Sequence, residues 1–242
     1  MNESPHVLVS REIRIPCGDA WLYGDLTLPA DALGVVLFVH GGGSGRHSAR
    51  NRQVARRLQQ AGVATLLFDL LTAQEEQIDF HTREHRLDMA LLTRRIQDAT
   101  LWAREQPDLA PLPMGYFGAN TGSAAAIIAA ARLGKQIGAL VLRGPRPDLA
   151  GPVALAAIAA PTLLIVGSAD ARLMDLNAQA LAHFTCEKRL SVVQEASHHF
   201  EERGAMDQVA DLAASWFGAH LAPLEGHPRQ APAVARAAQE NP

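Results

Sequence analysis

Residues 114–126 read MGYFGANTGSAAA, Met114 to Ala126, and the reading of this stretch decides the fold. Met114 to Phe117 is a short apolar run, as expected of a buried strand. Gly122 to Arg132 has the pattern of a helix. Between them lies Gly118-Ala119-Asn120-Thr121-Gly122, a tight turn from strand to helix with Asn at its centre. The central residue of such a turn is strained and crowded, and glycines at the two flanks relieve the clash. Gly122, Ser123, Ala124, Ala125 and Ala126 are small enough for the helix to press closely on a sheet. Its N-terminus points free N–H groups and a partial positive charge at the turn.

The same alternation runs outward in both directions. Toward the N-terminus, Val9 to Ile15 and Ala20 to Leu28 read as two antiparallel strands around a turn at Gly18-Asp19. Val35 to Val39 and Ala64 to Phe68 read as strands buried on both faces. Ser48 to Gln60 is helical, with Val54, Leu58 and Ala61 at helical spacing. Arg86 to Arg104 reads as a long amphipathic helix, with Leu87, Ala90 and Leu91 on one face and Arg94 and Arg95 on another. Toward the C-terminus, Ala139 to Leu142, Thr162 to Val166 and Arg189 to Val193 are strands. Leu176 to Ala182 and Met206 to Leu221 are helices, the latter turning Val209, Leu212, Trp216 and Leu221 inward. Strand–helix alternation of this kind implies an α/β fold: a mostly parallel sheet of about eight strands with helices on both faces. The segment between the sixth strand and Pro161 leaves no room for a large lid domain, so the pocket should be open and suited to small substrates.

Ligands of such sheets bind beyond the carboxyl ends of the strands. The third strand ends in His40-Gly41-Gly42-Gly43, the fifth in the Asn120 turn, the seventh in Gly167-Ser168-Ala169-Asp170 and the eighth in Ala196-Ser197-His198-His199. The central turn has the form of a nucleophile elbow, G-x-S-x-G, with Asn120 in place of Ser. His198 fits a general base, and Asp170 fits the group that fixes its tautomer and stabilises the imidazolium. The order nucleophile, acid, histidine sets this arrangement apart from those of other triads. Backbone N–H groups of Gly42 or Gly43 and of Thr121 are the candidate oxyanion donors. Each such donor is worth about 2.7–4 kcal/mol at a tetrahedral oxyanion. Taken singly, Asp170 reads as a helix cap and His198 as a surface residue; four strand ends agreeing in the right order favours the catalytic assignment.

The bulk composition is that of an ordinary globular chain. Its 242 residues are 48% hydrophobic and 19% charged, with a net charge of −3. No clustered basic footprint for nucleic acid is present. The local run Arg46, Arg50, Arg52, Arg56 and Arg57 reads as a solvated helix face. Cys17 and Cys186 make no disulfide framework, so reduced thiols in a cytoplasmic protein are expected. No apolar run approaches the roughly 20 residues of a membrane helix, and residues 1–10 do not read as a signal peptide. His47, His81, His85, His183 and His199 lack metal-ligand spacing, so no metal site is expected. Residues 1–222 are expected to form one domain and residues 223–242 a Pro/Ala-rich tail.

These stretches resemble the dienelactone hydrolase-like branch of the α/β-hydrolases, from about Arg11 to Leu221. The resemblance is carried by HGGGSGRHSARN (40–51), ATLLFDLL (64–71), GYFGANTG (115–122), RGPRPDLAG (143–151), PTLLIVGSAD (161–170) and HHFE (198–201). It implies the α/β-hydrolase fold and hydrolysis of a small-molecule ester or lactone, without metal or organic cofactor. It also implies Ser or Cys at the position held here by Asn120. Family loops suggest a pocket lining of Gly43, Ser44, Arg46, His47 and Arg143, against which Arg143 could instead pair with Asp148.

A carboxamide is no usable nucleophile, because it has no proton whose removal by His198 makes a good attacking group. Four readings of Asn120 stand open at this point. It is a point change, introduced or natural, in an otherwise intact enzyme; or it marks a ligand-binding pseudoenzyme. Alternatively His198 and Asp170 activate water directly, or Asn120 deamidates to a carboxylate nucleophile.

Overall fold

A computed structural model describes residues 8–221. The expected tail, residues 223–242, lies outside the described residues. The described residues form eight strands, β1 (Leu8–Cys17), β2 (Ala20–Pro29), β3 (Val35–Val39), β4 (Ala64–Phe68), β5 (Met114–Ala119), β6 (Ile137–Arg143), β7 (Thr162–Gly167) and β8 (Lys188–Val193). They build one sheet in the order β1-β2-β4-β3-β5-β6-β7-β8. The pairs β1/β2 and β2/β4 are antiparallel and all the others parallel. Every residue of β3, β4, β5 and β7 is buried, which is why these strands read as unbroken apolar runs rather than alternating ones.

Among the described residues seven α-helices flank the sheet: α1 (Ala49–Gln60), α2 (Ala73–Thr82), α3 (Met89–Glu105), α4 (Thr121–Leu133), α5 (Pro152–Ala157), α6 (Ala171–Ala180) and α7 (Ala205–His220). On one face, Ile96, Ala99 and Ala103 of α3 and Ala125, Ala126 and Ala129 of α4 pack on Leu37, Tyr116 and Leu140. On the other, Val54 and Leu58 of α1 and Val209, Ala213 and Phe217 of α7 pack on Phe38, Phe117 and Val141. The fit of α4 is tightest at Gly122, where a Cβ would stand 2.2 Å from the carbonyl oxygen of His40. Only glycine lets the helix start so close to the end of β3.

The structure corrects the sequence reading in the segment between β4 and β5. Helix α2 is absent from that reading, although Thr72 and Glu75 form a reciprocal capping box at its start. Helix α3 begins at Met89, after a single 3-10 turn at His85–Leu87, not at Arg86. Leu87 is exposed, and the buried face of α3 is Leu92, Thr93, Ile96, Ala99 and Ala103. Arg95, read as part of the polar face, is buried and forms a bidentate pair with Glu75, both contacts at 2.6 Å. A buried arginine looks the same as a solvated one in a periodicity count. Helix α5 also went unread, and α6 starts at Ala171, capped by Asp170, rather than at Leu176.

The basic run of α1 is exposed but paired across the surface. Arg50 meets Glu201 at 2.9 Å, Arg52 meets Asp25 at 3.4 Å and Arg57 meets Asp211 at 2.6 Å. Cys17 is buried and Cys186 partly so, both free; burial pushes the Cys17 thiol up to about 11. Among the described residues no helix is long and apolar enough to cross a membrane.

Candidate active site

The turn between β5 and α4 holds Asn120 at φ 50° and ψ −125°. This backbone conformation is one that residues other than glycine enter at a cost of about 1–3 kcal/mol. It persists because the turn is tied on both sides. Asn120 donates its N–H to the Arg143 carbonyl at 3.1 Å, and its own carbonyl accepts from both the N–H and the hydroxyl of Ser123. The Ser123 hydroxyl in turn accepts from the Arg146 N–H at 2.9 Å, linking the elbow to the loop after β6. The Asn120 side chain opens into a cavity of about 460 Å³ whose lining includes Thr121, Gly144, Asp170 and His198.

Asp170 and His198 meet as the sequence order suggests. Asp170 Oδ2 lies 3.6 Å from His198 Nδ1, while Oδ1 accepts the Leu173 N–H at 2.9 Å and caps α6. One carboxylate oxygen therefore caps the helix, while the other faces the histidine just beyond hydrogen-bond distance. His198 is about half exposed, and its ring stacks on His199 with centroids 3.9 Å apart. Desolvation, then the charges of His198 and Arg50, hold the His199 imidazole below its ordinary range. Gly144 stands between the partners at φ +53°; a Cβ there would lie 3.2 Å from Asn120 Oδ1 and 3.0 Å from the His198 carbonyl oxygen.

The glycine loop after β3 departs from expectation. The Gly42 N–H, expected to be a free oxyanion donor, is bound to Thr121 Oγ1 at 3.0 Å. The two candidate donors are thus neighbours, but the Thr121 hydroxyl occupies one of them. His40 at the end of β3 is buried and structural. Its Nε2 accepts the Leu70 N–H at 3.1 Å, so Nδ1 carries the proton facing the Gly41 carbonyl, and burial holds its pKa down.

Of the remaining sequence candidates, none lines the Asn120 cavity. Gly43, Ser44 and His47 line a second cavity, about 730 Å³, on the far side of the glycine loop. Arg46 is held by Glu12 at 3.1 Å and Asp69 at 3.7 Å, with its guanidinium over the Tyr23 ring. Arg143 is buried beneath the site, its Nη1 3.7 Å from Met206 Sδ, and burial lowers its pKa to about 10. Arg146, not Arg143, pairs with Asp148, at 2.6 Å. Sequence reasoning missed Ser123, Gly144 and Arg86. Arg86 lines both cavities, and no motif marks it.

Across known structures, a dienelactone hydrolase from Anabaena variabilis is 49% identical to this chain, covers 89% of it, is itself covered completely and superposes with a TM-score of 0.86. The chain belongs to the dienelactone hydrolase-like family of α/β-hydrolases. A dienelactone hydrolase-like promiscuous phosphotriesterase, P91, from metagenomic libraries shares the fold at 18% identity, with 89% of this chain and 99% of its own covered and a TM-score of 0.71. Two curated Mycobacterium tuberculosis sequences, provisionally named phosphoribosyl transferases, are 49% identical to this hydrolase-family chain over 214 residues. They align with 88% of it and 47% of their own length. The chain therefore spans about half the length of the curated relatives it matches. No protein-family model matches it.

Proposed function

We propose that this chain is built to bind a small carboxylic ester or lactone at a nucleophile–His–Asp site, and that Asn120 leaves its hydrolysis close to background. One observation carries the reading: Asn120 keeps the strained turn of an elbow and opens into the cavity that Asp170 and His198 also line. In a triad with serine, His198 would take the nucleophile's proton and Asp170 would hold the imidazole. The Thr121 N–H, joined by that of Gly42 once the Thr121 hydroxyl turns away, would face the oxyanion. With a carboxamide at the centre no such attack starts. Loss of the serine from a working triad costs about 2 × 10⁶ in kcat, leaving roughly 10³–10⁴ over water from binding and the oxyanion hole. The reading calls for no metal or organic cofactor.

The transferase name of the Mycobacterium relatives does not oppose this proposal. This chain, 88% of which aligns with them, also spans the whole of a dienelactone hydrolase at 49% identity. The match covers 47% of each relative's length, so their name describes more than the part this chain resembles.

A second reading, a ligand-binding protein without catalysis, is favoured by Asn120 itself. The two part on one experiment: hydrolysis of p-nitrophenyl butyrate by this chain and by Asn120→Ser, side by side. The expected result is near-background turnover by the chain and a gain of several orders of magnitude in the variant. Inertness of both would move the binding protein ahead. Rapid turnover by the unaltered chain would refute the role given to Asn120 and turn attention to water activated by His198.

A further inference from the structure

The two cavities beside the glycine loop have one wall in common, made of Gly42 and the side chain of Arg86. Arg86 comes from the 3-10 turn between α2 and α3 and lies flat on the loop. A Cβ on Gly42 would stand 2.6 Å from Arg86 Cβ, 2.7 Å from Cδ and 3.0 Å from Cγ. The guanidinium continues over Gly43. The side chain cannot wander, because Asp79 of α2 clamps it. The Asp79 carboxylate accepts the Arg86 backbone N–H at 2.9 Å and Nε–H at 2.5 Å, and the Asp79 carbonyl accepts from Nη2 at 3.2 Å. The Asp79 side chain is 3% exposed. Burial alone would raise its pKa, but the Arg86 hydrogen bonds and charge outweigh that and hold it below the usual carboxylate range. Such a pair, once broken, leaves a buried charge unpaired, so the clamp holds firmly.

On one side of this wall is the Asn120 cavity, about 460 Å³. On the other is the larger cavity, about 730 Å³, whose sides include Leu70, Leu71, Ala73, Phe80 and Leu92. Phe80 is 77% exposed at its rim, a large apolar side chain with little of the protein covering it. Between the two cavities stand only residues that line both, Gly42 and Arg86.

We propose that Arg86 is the specificity-determining residue of this site: its stem, locked by Asp79, partitions one long cleft in two and confines the acyl part of a bound ester to the smaller half. Removing the stem joins the cavities and admits medium-chain acyl groups into the space lined by Leu71, Phe80 and Leu92. The part of this inference that concerns esters rests on the function proposed above; the partition itself rests on geometry alone. Each methylene buried in the opened half is worth about a fourfold gain in affinity.

The decisive measurement uses the Asn120 chain itself, because on the function proposed above it binds an ester with turnover close to background. Binding of p-nitrophenyl butyrate and p-nitrophenyl octanoate is measured by calorimetry for the parent and for Asp79→Asn combined with Arg86→Ala. The Asp79 change spares the double variant an unpaired buried carboxylate. The control is Asp79→Asn combined with Arg86→Met, which keeps the stem and removes the charge. The expected result is an octanoate-to-butyrate affinity ratio at least tenfold higher in the Ala variant than in the parent, and unchanged in the Met variant. An unchanged ratio in the Ala variant overturns the proposal, and so does an equal rise in the Met variant, which would assign the effect to the guanidinium. If the Ala variant fails to fold, Asp79→Asn combined with Arg86→Ser decides, since it too removes the stem: a raised ratio supports the partition and an unchanged one overturns it. The same ratio, read as kcat/KM in Asn120→Ser chains, separates the two ideas. An active enzyme with an unchanged ratio sinks the partition alone, whereas inert Asn120→Ser chains with a shifted binding ratio sink the esterase reading alone.

Discussion

Replacing Glu75 by Gln tests whether a buried charge pair, rather than helix capping, holds the wall of the site. Glu75 binds Arg95 through both carboxylate oxygens at 2.6 Å and accepts the Thr72 N–H at 2.7 Å. Arg95 also donates to the Leu70 carbonyl at 2.6 Å, so the pair ties α2 and α3 to the end of β4. From α2 comes Asp79, and from the turn before α3 comes Arg86. Gln can still accept the Thr72 N–H, so the cap survives while the charge is lost. Arg95, whose side chain is 5% exposed, then has no counter-charge.

Burial alone would raise the Glu75 pKa. The Arg95 hydrogen bonds, the Thr72 N–H and the Arg95 charge together bring it from 4.5 down to about 2. Unscreened, that shift corresponds to about 3 kcal/mol. The Glu75 side chain is 23% exposed, and solvent screening reduces the stabilisation to about 1–2 kcal/mol. That figure takes only the view from Glu75; breaking a fully buried pair by removing one partner costs about 3–5 kcal/mol in all. With Glu75 partly exposed, a loss near the lower figure is expected, about 2–3 kcal/mol at pH 7. Since the folded pKa lies below the unfolded one, the stabilisation is full at neutral pH and fades as the pH falls from about 4.5 toward 2. Urea unfolding of both proteins at pH 7 and pH 3 measures it. The difference between them should shrink to less than half at pH 3. A loss under about 1 kcal/mol at pH 7, or one independent of pH, would refute the argument.

Two further outcomes follow from contacts near the elbow. Gly122→Ala drives a Cβ into the His40 carbonyl, and neither backbone can move without lifting α4 from β3; overpacking of about 3 kcal/mol should lower Tm by about 6–12 °C in thermal melts. Asp170→Asn in an Asn120→Ser background should keep the cap of α6, because Asn caps helices as well as Asp. It should nonetheless cut esterase kcat by about 10⁴ through the wrong histidine tautomer with Tm little changed, and an unchanged kcat would mean that the residue is a cap alone.

The parts of this molecule legible in the sequence are those that obey short-range rules. Buried parallel strands announce themselves as continuous apolar runs, and the small residues from Gly122 to Ala126 mark a helix pressed on a sheet. Strand ends then place Asn120, Asp170 and His198 without any knowledge of packing. What stayed hidden is long-range and polar. Arg95 and Arg86 look like surface arginines until Glu75 and Asp79, 20 and 7 residues before them, close on them. Arg46 and His47 follow the glycine loop in sequence, but the loop turns them away from Asn120 toward β1 and β2, where Glu12 and Asp25 wait. The capping box at Thr72 and Glu75 was readable, and would have revealed α2 and so the origin of the clamp.

Asn120 also poses a question of cost. Its φ of 50° with ψ of −125° is reached comfortably by glycine alone, and Asn tolerates positive φ better than most other residues. A chain released from catalysis would gain stability by softening the residue at its elbow, and Asn softens it more than Ser does. Asn120→Gly should therefore raise stability, by about 1 kcal/mol after the entropic cost of glycine in the unfolded chain, or about 2–4 °C in Tm. Asn120→Ser should lower Tm slightly as it restores hydrolysis, the exchange of stability for function expected at a strained site. Thermal melts of the three proteins decide the matter. A Gly variant less stable than the parent would show that the Asn120 side chain and the entropic cost of glycine together outweigh the strain, and would refute the argument.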